Sequence, residues 1–250
     1  MRVKLMLILI IVISLSAAGC GEKQGKQSDS AERAAQDGGH ELTFNRVSLN
    51  ELHDTKPEVE WIVIRTVDLG TADGKPISML LYSEDSQNGE ADVHAMIRHA
   101  EQLYELGANP FQLRQTEIRK LEGSFHDVII IAGIGTNLTV WNVVAFNKSS
   151  GKLLTFETIG SPEVIDLDAD GQTELVAAFE GTHLNFPNVE IIRFHNGEFE
   201  SAQAVAAQNP EDPEYARLAM QSSGTVIEIG KLRDERPHRY KYENGRLVEM

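Results

Sequence analysis

Apolar and polar positions in the second half of the chain fall into short runs, not long helical stripes. Three stretches, "DVIIIAGIGTNLTVWNVVAFNKSSGKLLTFE", "ELVAAFEGTHLNFPNVEIIRFHNGEFESA" and "GTVIEIGKLRDERPHRYKYENGRLVEM", share one layout. In each, an apolar run ends at a glycine and a second run rich in β-branched and aromatic residues follows. A Ser-Gly or Asn-Gly pair then leads into a third run. Such runs are strand signals, and an Asn-Gly pair supplies the two positive-φ positions of a tight hairpin turn. The first glycines are Gly135, Gly181 and Gly230 and the second are Gly151, Gly197 and Gly245, so the units recur every 46 to 49 residues. A period of this size marks a repeat architecture. The expectation is a mainly β domain of antiparallel β-sheets, each of three or four short strands, repeated at about 47 residues.

Upstream, "VDLGTADGKPISMLLYS" reads as a worn copy of "IDLDADGQTELVAAFE". It keeps Asp68, Asp73 and Gly74 but has no counterpart of Asp168, and Ile77 stands where Glu174 would. That copy keeps the hairpin without the means to hold a metal, and "LEGSFHDV" before the second unit lacks the same set. Between these lies a stretch that predicts one clear α-helix near residues 90–106, an insertion over about 88–108. Val93, Ile97, Ala100 and Tyr104 share a face with Met96 and Leu103 beside it; Asn88 stands at the N-cap and Gly107 with Asn109-Pro110 closes the end. A second, shorter helix is expected over Pro213–Met220.

The most crowded chemistry is "VIDLDADGQTELVAA", which sets Asp166, Asp168, Asp170 and Glu174 between two apolar runs with Gly171 after the third aspartate. Alternating carboxylates on a glycine-permitted turn offer calcium the six to eight oxygens it requires, and the Gln172 carbonyl would add another. An EF-hand would need a bidentate glutamate at the twelfth position, where Ala177 stands, and flanking helices, where "PEVID" and "ELVAAFE" read as strands. Magnesium fits less well because it demands near-octahedral geometry and keeps its waters. The other reading is an acidic turn that binds nothing, in which the carboxylates repel one another with no compensation.

The run "DLDADGQTELV", with its strand–loop–strand setting and its repeat, resembles the FG-GAP or VCBS repeats of integrin α-chain propellers and many bacterial surface proteins. The resemblance implies propeller-blade-like sheets and one structural calcium in a loop joining the first two strands of a blade. It makes Asp166, Asp168, Asp170 and Glu174 side-chain ligands, with Gln172 contributing its carbonyl. Complete propellers need at least four blades, and the sequence shows three and a degenerate fourth, which leaves ring closure open.

The beginning of the chain adds a location. "MRVKLMLILIIVISLSAAGC" carries Arg2 and Lys4, an apolar run and then small residues up to Cys20, the layout of a secretory signal. It resembles a bacterial lipoprotein signal, which implies cleavage after residue 19 and a diacylglycerol and N-acyl lipid on Cys20. The alternative is an uncleaved anchor. The expected organisation is a signal peptide at 1–19, the lipidated cysteine and a flexible tether at 20–40, and a β-rich domain at 41–250. Cys20 is the single cysteine, so no disulfide is available. The protein is then anchored to the cell membrane, facing the extracytoplasmic side.

Charge narrows the partners. The chain carries −15, or −17 once Arg2 and Lys4 are gone, an excess that disfavours nucleic acid and repels anionic headgroups. No nucleophile elbow, phosphate-binding loop or H-E-x-x-H motif is present, which argues against an enzyme. His94, His99, His126, His183 and His195 read as surface or satisfied histidines. Trp61, Trp141, Phe186 and Tyr242 read as core, or as a platform for a glycan. The functional expectation is a calcium-stabilised binding or adhesion module for a protein or glycan ligand. The alternatives are a purely structural envelope protein and a hydrolase with a non-linear active site.

Overall fold

The computed structural model describes residues 39–58, 60–83, 92–136, 140–182, 186–208, 213–222, 224–233 and 236–250, with backbone alone at 107–111. The signal segment, Cys20 and the tether lie outside the described residues, as do Asn88 and His183. The described residues open with three very short strands, β1 (Gly39–Glu41), β2 (Asn45–Arg46) and β3 (Asn50–Glu51). Four antiparallel meanders follow. Sheet I comprises β4 (Ile62–Ala72), β5 (Lys75–Ser83), β6 (Asp92–His99) and β7 (Gln102–Gln112). Sheet II comprises β8 (Glu117–Phe125), β9 (Val128–Gly135), β10 (Val140–Asn147) and β11 (Lys152–Ile159). Sheet III comprises β12 (Ser161–Ile165), β13 (Glu174–Phe179), β14 (Asn188–His195) and β15 (Glu198–Gln203). The short helix α1 (Ala204–Gln208) leads into sheet IV, which comprises β16 (Tyr215–Gln221), β17 (Gly224–Gly230), β18 (His238–Glu243) and β19 (Arg246–Glu249). The repeated antiparallel architecture read from the glycine spacing is therefore present, and the worn first copy is a complete four-stranded sheet.

Two helices expected from the sequence are strands. The stretch assigned to a helix at 90–106 holds β6 and the start of β7, joined by a turn at Ala100, whose φ is +53°. The physical reason is burial on both faces. Val93, Ala95 and Ile97 enter the core against sheet II, while Met96 packs with Leu80 and Tyr82 on the opposite face. A strand covered on both sides loses its period of two and imitates a helical stripe. Likewise Pro213–Met220 holds most of β16, the first strand of sheet IV; the α-helix among the described residues is α1, just upstream.

Where the pattern called for hairpins, the backbone supplies them. Asn196 and Gly197 have φ of +50° and +86°, and Asn244 and Gly245 have +48° and +83°, as two-residue turns between β14 and β15 and between β18 and β19 demand. Between β11 and β12 the chain crosses from sheet II to sheet III through Gly160, at φ +101°. A Cβ there would lie 2.5 Å from the Ala178 carbonyl carbon. Gly160→Ala is expected to cost roughly 2–4 kcal/mol of unfolding free energy, by strain plus overlap. Gly151→Ala, also at positive φ but with nothing within 4 Å of the new methyl, should cost only about 1–2 kcal/mol. Equal losses in urea denaturation of the two variants would contradict this assignment.

The sheets pack face to face in chain order. Met79, Leu81 and Ile97 of sheet I meet Ile134, Val144 and Phe146 of sheet II. Ile130, Val143 and Phe156 of sheet II meet Leu175, Ile192 and Phe199 of sheet III. Val176 and Ile191 of sheet III meet Ile227, Ile229 and Leu247 of sheet IV. Among the described residues no apolar cluster joins sheet IV back to sheet I, and the other face of sheet IV carries Arg217, Glu228 and Arg239.

Residues 39–55 bind the row together. β1 pairs with β19, β2 with β15 and β3 with β11, each the last strand of its sheet. Asp54 then bridges Tyr104 on β7, and the Thr55 amide donates to the Leu103 carbonyl at 2.8 Å. This strap thus touches the outer edge of sheets IV, III, II and I in turn. It also places side chains in every interface: Leu42 and Phe44 between III and IV, Val47 and Leu49 between II and III, and Leu52 between I and II.

Candidate metal loop and adjoining cleft

The acidic run forms the connection between β12 and β13, the first two strands of sheet III. Its shape is set by carboxylates capping amides of the same loop, the standard behaviour of aspartate in turns. Asp166 accepts from the Asp170 amide through Oδ1 (3.1 Å) and from the Gly171 amide through Oδ2 (3.0 Å). Asp168 Oδ1 lies 3.3 Å from the Asp170 amide, and Glu174 Oε2 accepts from the Leu167 amide at 3.0 Å. Left-handed backbone at Ala169 (φ +61°) and Gly171 (φ +87°) lets the chain curl tightly enough for these bonds.

Three of the side chains read as ligands converge. One carboxylate oxygen each from Asp166, Asp168 and Glu174 lies within 4.8 Å of the others. Two oxygens coordinated by one calcium at about 2.4 Å can be at most about twice that far apart, so this spacing fits a shared ion. Asp170 is not in the converging set. Its Oδ1 accepts from the Gln172 amide at 2.7 Å and its Oδ2 from the Gln172 side-chain amide at 3.2 Å. The all-oxygen, anionic donor set suits a hard divalent cation.

The electrostatics of the loop point the same way. Glu174 is 6% exposed, and burial first, then the charges of Asp168, Asp170 and Asp166, push its carboxyl up to about 7 against the opposing bond from Leu167. A buried carboxylate ringed by three others is an uncompensated arrangement until something positive sits among them.

The surroundings are assembled from distant parts of the chain. The Asn244 amide, in the last hairpin of sheet IV, donates to Asp168 Oδ2 at 3.2 Å and ties the loop to the neighbouring sheet. Tyr242, 2% exposed, has its hydroxyl pKa raised by burial and by Glu174, and it bonds Arg193. Arg193 in turn pairs with Glu200 (3.0 Å) and stacks on Phe44 of the strap at 3.6 Å. A cleft of about 620 Å³ opens beside the loop, with Phe125 and His126 of sheet II on one wall, Arg193 and His195 of sheet III on another, and Asn244 of sheet IV at the rim. Sequence reasoning missed Arg193 and Asn244, and it named Tyr242 as core or platform without placing it beside the loop. The only linear signal was the Asn244-Gly245 turn, and a turn motif does not say what the turn lies against.

The remaining candidates disperse. His94 stacks on Trp61 at 3.9 Å, whereas His99 is buried against Phe146 and bonds the Ala72 carbonyl at 3.0 Å. Trp141 is fully buried, Tyr242 nearly so, and Phe186 is 79% exposed, so these aromatics form no common platform.

No family model matches the chain, and neither a curated protein nor a solved structure matches it.

Proposed function

We propose that this protein is a membrane-anchored, extracytoplasmic lipoprotein of the FG-GAP or VCBS kind, in which one structural calcium rigidifies a β-sheet binding module. The observation that carries the metal reading is the approach of Asp166, Asp168 and Glu174 oxygens to within 4.8 Å of one another in the loop joining the first two strands of a sheet. Support for the repeat reading comes from four successive four-stranded meanders. Asp166, Asp168 and Glu174 hold the ion through their side chains. Asp170 positions the loop, and the Gln172 carbonyl belongs to the proposed ligand set on the strength of the sequence resemblance. Calcium supplies neutralisation of the buried charge and a fixed link from sheet III toward the Asn244 turn of sheet IV. The binding surface is the adjoining cleft, whose aromatic, guanidinium and imidazole walls suit a polar protein or glycan surface. The Cys20 lipids and the tether place that cleft outside the cytoplasmic membrane.

Calorimetric titration of the full chain with calcium is expected to show one site with a dissociation constant of about 0.1–1 mM, the range of extracellular modules. Ten times that concentration should add roughly 1.4 kcal/mol to unfolding free energy. Asp168→Ala together with Asp170→Ala should abolish the heat while leaving the β-sheet circular dichroism intact. A double variant that still binds one equivalent would refute the loop as the site.

A further inference from the structure

Sheet IV carries a feature unrelated to the acidic loop. Across its outer face, Arg217 on β16, Glu228 on β17 and Arg239 on β18 are consecutive cross-strand partners. Glu228 is 3% exposed and holds both arginines. Its Oε2 accepts from Arg217 Nε (3.0 Å) and Nη2 (2.9 Å), and its Oε1 from Arg239 Nε (2.8 Å). The two guanidinium groups flank a single carboxylate, and their side chains remain about half exposed, 52% and 48%. Burial of Glu228 disfavours its charge, but the two arginines outweigh this and hold its carboxyl below the ordinary value.

One anion beneath two cations leaves an excess of positive charge facing outward. A pocket of about 380 Å³ opens over this pair, with Lys231 and the Tyr215 ring at its sides and, among the described residues, Glu180 as the one further acidic group lining it. The Tyr215 ring lies 5.2 Å from the Arg217 guanidinium. The setting is basic in an acidic protein: among the described residues the pocket is lined by Arg217, Lys231 and Arg239 against Glu180 and Glu228, while the whole chain carries −15.

We propose that this pocket is an oxyanion site, and that its ligand class is a phosphoryl group. Planar guanidinium groups fixed at one end present their outward N–H edges to an incoming anion with little entropy left to lose. A tetrahedral phosphoryl group has three terminal oxygens, one more than the planar carboxylate of Glu228 that already serves both arginines from beneath. Glu228 is the positioning residue: it aims the arginines and makes no contact with the ligand. The phosphoryl group belongs to a soluble ligand or to a lipid headgroup, and the site chemistry is the same for both.

The test uses the full chain carrying Cys20→Ser, which cannot be acylated, in the presence of EDTA so that the acidic loop plays no part. Inorganic phosphate is titrated at constant ionic strength, and binding is followed by shifts in the arginine Nε–H signals. Saturable binding is expected. The double variant Glu228→Gln with Arg239→Gln leaves the net charge unchanged and no buried unpaired carboxylate, yet it should weaken phosphate at least tenfold. Lys241→Gln, outside the pocket, should change affinity less than twofold. A parallel arm compares vesicles of phosphatidylcholine with vesicles containing phosphatidylglycerol. Anionic-vesicle binding that the double variant loses assigns the phosphoryl group to a lipid, and phosphate binding without it assigns a soluble ligand. Both outcomes support the site. Absence of saturable phosphate binding, or equal weakening by the double variant and by Lys241→Gln, overturns it.

Discussion

A chain lacking residues 39–55 is expected not to reach a cooperatively folded state. The strap pairs with the edge of sheets IV, III and II over three, two and two residues and bridges sheet I at Tyr104, so its hydrogen bonds alone are few. Its weight lies in the side chains it drives into the interfaces. Leu42 is 5% exposed and Leu52 7%, and they lie in different interfaces, III/IV and I/II. Truncating a buried leucine costs about 2–5 kcal/mol, and distant sites add. Leu42→Ala with Leu52→Ala should therefore remove a large part of the roughly 5–15 kcal/mol typical of a domain. Removing the whole strap also strips the edges of four sheets, which invites edge-to-edge association. Urea denaturation of the single and double leucine variants, with light scattering on the truncated chain, checks this. A truncated chain that stays monomeric with an unchanged unfolding midpoint would show that the row of sheets holds together unaided.

The strap also marks a limit of reading structure from sequence. Pairings of two or three residues leave no alternating pattern, and "GHELTFNRVSLNEL" resembles any polar loop with scattered apolar residues. What made the four sheets legible was local chemistry. Asn196-Gly197 and Asn244-Gly245 demand hairpins wherever they occur, and the glycine spacing set the period. What concealed β6 was tertiary: with Val93, Ala95 and Ile97 on one buried face and Met96 on the other, burial on both sides erased the alternation that would have betrayed a strand. The same holds for the site. The carboxylates of the loop are adjacent in the chain and could be seen at once. Asn244 lies 76 residues from Asp168, and only the packing of sheet IV on sheet III brings its amide there. The contacts of Asp170 with the Gln172 backbone and side-chain amides are likewise visible only in the folded loop.

The metal-free protein should lose stability as pH rises from about 4.5 to about 7, opposite to the usual acid sensitivity of carboxylates. In the folded state Glu174 keeps its proton up to about 7, because burial and the charges of Asp168, Asp170 and Asp166 disfavour ionisation; the ordinary value is 4.5. Between those limits the native state holds a proton that the unfolded chain has released. Unfolding free energy therefore falls with pH, from its full value below the unfolded pKa, by roughly 3 kcal/mol at most. Glu174→Gln removes the ionisable group but keeps an acceptor for the Leu167 amide, so it should flatten this slope and stabilise the metal-free protein near pH 7. In saturating calcium the order reverses: the wild type should be the more stable at pH 7, because a neutral side-chain amide cannot supply the anionic oxygen. Binding near pH 6 should also release protons, seen as a dependence of the calorimetric heat on the ionisation enthalpy of the buffer. Urea midpoints from pH 4.5 to 8, in chelator and in calcium, distinguish this from an acidic turn that binds nothing. For such a turn the wild-type slope in chelator persists unchanged in calcium, and the glutamine variant stays the more stable protein in both.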